Sequence, residues 1–356
     1  MTTDVCSFAI TADGQHFAVG DGPELLVYRH DGEPVYKHFC DGVLLGIAYV
    51  GDHLATVDSE NRVVFYRATD GRKMEEVQLD GVALGAFASP DGLFGVITGA
   101  GPVIVAPDGS VGGFPLLDLV AASFGPDRTS LGLGTSTGHF VAMDGLSGAA
   151  WGSLDLGEPV LDVAWNAQGF WSVIVSGALL RIDGGATSIL GRHDLTGVPR
   201  KLVLNADGAL GAVLYEGGRV GIIEQHTHSN AGEIVFRREA HGLGFGRSAQ
   251  LGVGLDDGDA SVIDLITRST IRTEPHPGRG RNNWNVDLGF DAGAVRAAIT
   301  LLKSGGVAPE LQLPVHEMEG GQRGWLGVGC MMANMFFFLS MGCLGVVFLL
   351  TYLQYP

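Results

Sequence analysis

The sequence predicts an all-β fold. The expected architecture is a β-propeller of about eight four-stranded blades, with seven as the alternative, followed by a single C-terminal transmembrane α-helix. Three observations predict it. A hairpin unit recurs about every 36 to 44 residues. The units are punctuated by Gly, Asp, Asn and Ser. The end of the chain changes abruptly to an uncharged apolar run.

The repeat comes first along the chain. Eight hairpin copies read FAITADGQHFAV from Phe8, GIAYVGDHLATV from Gly46, GAFASPDGLFGVI from Gly85, ASFGPDRTSLGLG from Ala122, DVAWNAQGFWSVI from Asp162, LVLNADGALGAVL from Leu202, LGFGRSAQLGVGL from Leu243 and DLGFDAGAVRAAI from Asp287. A third strand follows several of them, as in LLVYRHDGE from Leu25, VVFYRATDG from Val63, LLRIDGG from Leu179 and SVIDLITRS from Ser261. Short apolar runs bounded by turn residues read as antiparallel strands. Gly and Asp tolerate the positive φ that tight hairpins need. Four strands in about 40 residues make one small twisted sheet. Such a sheet cannot bury both faces alone, and radial stacking of copies buries them.

On this period and strand pattern the chain resembles the WD40-like β-propeller superfamily, over roughly residues 5 to 319. The Trp-Asp dipeptide of well-formed WD repeats is absent and Gly-His does not recur. The resemblance therefore implies the fold and a role in protein–protein interaction, and no specific family. Quinoprotein-type propellers have similar periods, but no repeated tryptophan motif is present, so no quinone cofactor is expected.

The eighth copy has two readings. As a hairpin it completes an eighth blade, the reading preferred here. As a helix, Asp291 is its N-cap, Val295, Ala298, Ile299 and Leu302 form one face, and Gly305 follows its end. That reading leaves seven blades.

The propeller is expected over 1–319. Pro309 and Pro314 break regular structure, and 320–324 reads as a linker. Residues 325–356 are the expected membrane anchor. Leu326 to Leu350 is 25 residues without a charge, long enough for a bilayer core of about 30 Å. Trp325 and Tyr352 sit at its two edges, like interfacial aromatic belts. Gly329 and Ala333 make a small-xxx-small step, and Ser340, Gly342 and Gly345 add small positions that let helices approach closely. Asn334 lies inside the apolar span and needs a partner there. No signal peptide is legible at the N-terminus. The expected placement is a single-pass membrane protein with its bulk on the cytoplasmic side.

The chain carries 22 basic and 39 acidic side chains, a net charge of −17. This argues against nucleic acid as a partner, since phosphates repel an acidic surface. Residues 1–235 hold 12 basic and 28 acidic side chains, whereas 236–281 hold 7 and 6. The Arg-rich stretch includes Arg237, Arg238, Arg247, Arg268, Arg272, Arg279 and Arg281. Two readings are open. Arg279 and Arg281 meet lipid phosphates or an acidic partner, or the arginines pair with nearby carboxylates.

No chemistry is legible. His226-Thr-His228 lacks a third ligand at metal spacing. His276-Pro-Gly-Arg-Gly-Arg lacks the Lys-Ser/Thr of a P-loop. Cys6, Cys40, Cys330 and Cys343 contain no CxxC and read as free thiols. No catalytic residue, metal or cofactor is expected. The expected function is a non-catalytic accessory or scaffold subunit. Its propeller is an interaction platform, and its tail helix docks it among lipid and the other subunits of a membrane protein complex. The alternative is a membrane-tethered enzyme or small-ligand sensor with a site in the central channel.

Overall fold

A computed structural model describes residues 7–89, 92–127, 129–227, 229–247, 249–273 and 286–303. Two compact units divide the chain, Met1–Ala308 and Pro309–Pro356, and the described residues all fall in the first. The expected boundaries at 319/320 and 324/325 lie outside the described residues.

Seven consecutive segments each form one antiparallel sheet, and successive sheets pack face to face into a ring. Each sheet runs in simple order from its first strand to its fourth. The first, innermost strands are Ser7–Ile10, Leu44–Val50, Ala83–Ala88, Leu119–Phe124, Val160–Asn166, Pro199–Leu204 and Ala240–Phe245. They define blades 1 to 7. The fourth, outermost strands face the rim, as Lys73–Gln78 does in blade 2.

Burial follows position in the blade. The second strands are apolar on both sides because a blade lies on each face. In Ser130–Thr135, Phe170–Val175 and Leu210–Tyr215 every residue is buried. The outer strands return to half-buried alternation, as in Ile189–Asp194.

The high glycine content has a use at the blade interfaces. Phe8 of blade 1 fills a slot in blade 7. A Cβ on Gly252 would stand 2.1 Å from its ring, and one on Gly242 2.7 Å from its Cβ. Phe8 stacks on Phe17, and Phe17 on Tyr28, at centroid distances of 5.9 and 5.3 Å. Among the described residues blade 1 and blade 7 exchange no strand, and the seam between them is side-chain packing. Trp171 of blade 5 uses the same device against Gly132 of blade 4.

The blade number is seven, and the expected eighth blade is corrected. The copy from Asp287 splits into two elements. Strand Val286–Phe290 pairs with the outer strand Asn230–Phe236 and adds a fifth strand to blade 6. Helix α1 (Ala292–Lys303) follows. Asp291 caps it: its carboxylate accepts the Gly293 N–H at 2.7 Å and its carbonyl accepts the Val295 N–H at 3.1 Å. The physical reason lies in the pattern. A second strand must be apolar on both faces. Here Val295 and Ile299 are buried while Arg296 and Thr300 are exposed, a one-sided stripe at helical spacing.

Candidate functional site: the channel mouth

The inner strands enclose a channel of about 600 Å³, lined by residues from all seven blades. Every inner strand enters the ring at the same face, and six of the seven carry a register shift near that entry, for example between Leu44 and Gly46 and between Leu119 and Ala121. A bulge turns its extra residue out of the ladder. In blades 2 to 7 the residues at these shifts are Leu45, Leu84, Val120, Leu161, Arg200 and His241. The mouth is thus apolar over blades 2 to 5 and polar over blades 6 and 7.

The apolar arc is open to solvent. Leu84 is 60% exposed and Val120 43%. Val82 and Leu117, on the approaches to the same two strands, are 64% and 73% exposed. These four residues form a crescent on adjoining blades 3 and 4. Exposed acids flank it. Asp80 precedes Val82, and Asp118 lies between Leu117 and Leu119. Neither carboxylate has a hydrogen bond or ion pair among the described residues. Between Lys73 and Arg181 the sequence holds one basic residue, Arg128, against eleven acidic ones. Arg128 lies outside the described residues.

In the polar arc, Arg200 is already engaged. Arg200 pairs with Glu239 at 2.8 Å and Glu216 at 3.1 Å. Deeper in the channel, Asp162 of blade 5 accepts the Leu202 N–H of blade 6 at 2.7 Å and its neighbour Val163 N–H at 2.9 Å. Its side chain is half-buried in the wall of the lumen. That enclosure pushes its carboxyl above the usual range, against the opposing pull of Lys201 and the two amides. Among the described residues no group of three His, Cys, Asp or Glu side chains could hold a metal ion.

The opposite face differs in what its acids do. There the Asp residues of the hairpin turns accept backbone N–H groups. Asp127 takes the Ser130 amide at 2.7 Å and the Thr129 amide at 2.9 Å, and Asp144 takes those of Ser147 and Leu146. The Ser130 hydroxyl and amide hold the Asp127 carboxyl below its usual range.

A comparison with protein-family models finds no match, and one with curated proteins finds none. Among solved structures, the β-propeller domain of Cps50 (Swd1) from Myceliophteria thermophila is similar, with a TM-score of 0.60 and 12% identity. The match covers 72% of this chain and 95% of that one. At this identity the likeness shows the fold alone. The chain is a seven-bladed β-propeller in fold.

The anchor residues expected from sequence, Trp325, Gly329, Ala333, Asn334, Ser340, Gly342, Gly345 and Tyr352, lie outside the described residues, as do Arg279 and Arg281. Among the described residues no helix is long and apolar enough to cross a membrane. Thr273 and Val286, which bracket Arg279 and Arg281, both sit at the strand ends of the mouth face. Three other arginines of that stretch tie the ring together. Arg238 pairs with Asp256 at 2.8 Å and with Asp259. Arg247 donates to the Asp13 carbonyl across the blade 7–blade 1 seam. Arg268 donates to the Leu288 carbonyl and covers the Phe290 ring at 5.2 Å. Cys40 is half-buried, with its Sγ 4.0 Å from the Tyr66 hydroxyl, and burial pushes its thiol up. Sequence reading missed the crescent. Its signal was present as apolar residues in the approach segments DGVAL and LLDLV, where a solvated connection needs none.

Proposed function

We propose that the chain is a non-catalytic scaffold subunit that docks a partner at the channel mouth. One observation carries this reading: an exposed apolar crescent, Val82, Leu84, Leu117 and Val120, on one rigid face of the ring. Adjoining exposed apolar side chains on a soluble surface mark interaction sites. Inner strands of packed blades hold Leu84 and Val120 in place, so little entropy is lost there on binding. The uncharged run from Leu326 to Leu350 supports the second half of the proposal, attachment to a multi-subunit membrane assembly with the propeller on the cytoplasmic side. Two polar groups of the channel, Asp162 and Arg200, are bonded to the protein's own groups.

The test is a gentle-detergent purification of the full chain beside a version ending at Gly320, with mass spectrometry of the subunits that accompany each. Membrane subunits retained by the full chain and lost on truncation are the expected result. A lone chain in both preparations overturns the proposal.

A further inference from the structure

We infer that the segment docking on the crescent is an amphipathic, cationic stretch of a partner protein, with apolar side chains on one face and Lys or Arg beside them. This inference rests on the docking reading above and adds its chemistry.

Charge complementarity selects the occupant. The crescent lies in a sector where residues 74–180 carry eleven acids and a single base. The turn acids Asp127 and Asp144 are committed to backbone amides. Exposed Glu60, Asp80 and Asp118 are not: none has a side-chain hydrogen bond or ion pair among the described residues. They stand at the edges of the apolar patch, where a rim charge steers a partner and fixes its register. The same charges disfavour the other occupants. A second copy would bring two acidic mouths together, and an anionic lipid surface or a nucleic acid would meet a field of its own sign. The rigid apolar centre with unpaired acids around it fits a helix face with apolar residues at i, i+3, i+4 and i+7 and cations flanking them.

The test uses the full chain in a nonionic detergent, with the detergent alone as reference. The probes are two fluorescein-labelled synthetic peptides of roughly 18 residues, about five helical turns. Both have the same Leu positions, one with Lys and one with Glu elsewhere, and binding is read by anisotropy. The expected result is saturable one-to-one binding of the Leu/Lys peptide only. Leu84→Ser with Val120→Ser should weaken it about tenfold. Asp80→Asn with Asp118→Asn should weaken it several-fold, and that loss should shrink as salt rises from about 50 to about 500 mM. Circular dichroism of the variants confirms that the ring is intact. Equal binding of both peptides, or undiminished binding by either double variant, overturns the inference. So does a self-association abolished by Leu84→Ser with Val120→Ser, which assigns the crescent to a second copy, or sedimentation with anionic vesicles that depends on it. Membrane subunits retained in purification while the Leu/Lys peptide fails to bind would leave the scaffold reading standing and remove this one alone.

Discussion

The two faces of the ring carry the same kind of residue to different ends. On the turn face Asp closes hairpins. Asp13, Asp108, Asp127 and Asp144 each accept an amide two or three residues on, and each carboxyl is held below its usual range, the first three chiefly by the hydroxyls of Thr11, Ser110 and Ser130 and then by the amides, Asp144 chiefly by the Ser147 amide. On the mouth face the carboxylates of Asp80 and Asp118 bond to nothing described and border apolar side chains. Apart from the acids paired with arginine, the acids behind the net charge of −17 therefore include two populations. One is the electrostatic by-product of building tight turns. The other is available to a partner. Composition adds them together, and only position separates them.

The largest expected effect comes from breaking the ring on which both faces depend. Phe8→Ala empties the Gly252 slot at the seam between blades 7 and 1 and should cost about 3–5 kcal/mol in urea unfolding. A cost under about 1 kcal/mol would mean that the seam does not hold the ring. Next is a turn acid. Asp127→Ala leaves two backbone amides without their acceptor and should cost about 1 kcal/mol by the same measurement. The mouth acids should behave otherwise. Asp80→Asn and Asp118→Asn are expected within about 0.5 kcal/mol of the parent, and a larger loss would move them to the structural population.

The smallest effect is a pH dependence, and its sign differs between the two kinds of site. The turn carboxyls have lowered values. Their contribution is present above the ordinary Asp range near 3.8 and is lost as pH falls through their folded values. Asp162, raised by its enclosure in the channel, works in reverse. Its contribution is complete below 3.8 and is lost as pH rises through its folded value. Asp162→Asn should therefore gain stability relative to the parent as pH rises from about 4 to 7. A constant difference across that range would show that the channel does not raise this carboxyl.

Much of the ring was legible beforehand. Seven of the eight hairpin copies became blades, because apolar runs and Asp-Gly turns act within a dozen residues and need no distant partner. The copy from Asp287 became a rim strand and a helix. Its first half resembles every other inner strand, and nothing local says that it will pair with Asn230–Phe236 instead of opening a blade. Of the two readings of the arginines in residues 236–281, Arg238 follows the pairing one, on Asp256, while Arg247 and Arg268 are spent on the Asp13 and Leu288 carbonyls, which neither reading named. Those partners lie 18, 234 and 20 residues away, beyond the reach of a local pattern.

By itself, then, the sequence determined the strands, their turns and the use of a propeller to bury two-sided apolar sheets. These follow from the period of hydrophobicity and the backbone preferences of Gly and Asp, which are properties of neighbours. Tertiary structure alone decided that seven blades close the ring, with Phe8 seated in blade 7 and the next strand displaced to the rim. It also decided that Val82, Leu84, Leu117 and Val120 meet on one face beside unpaired acids. Closure and surface patches depend on how many sheets fit around a circle and which strand ends share a face, and those are properties of the whole ring.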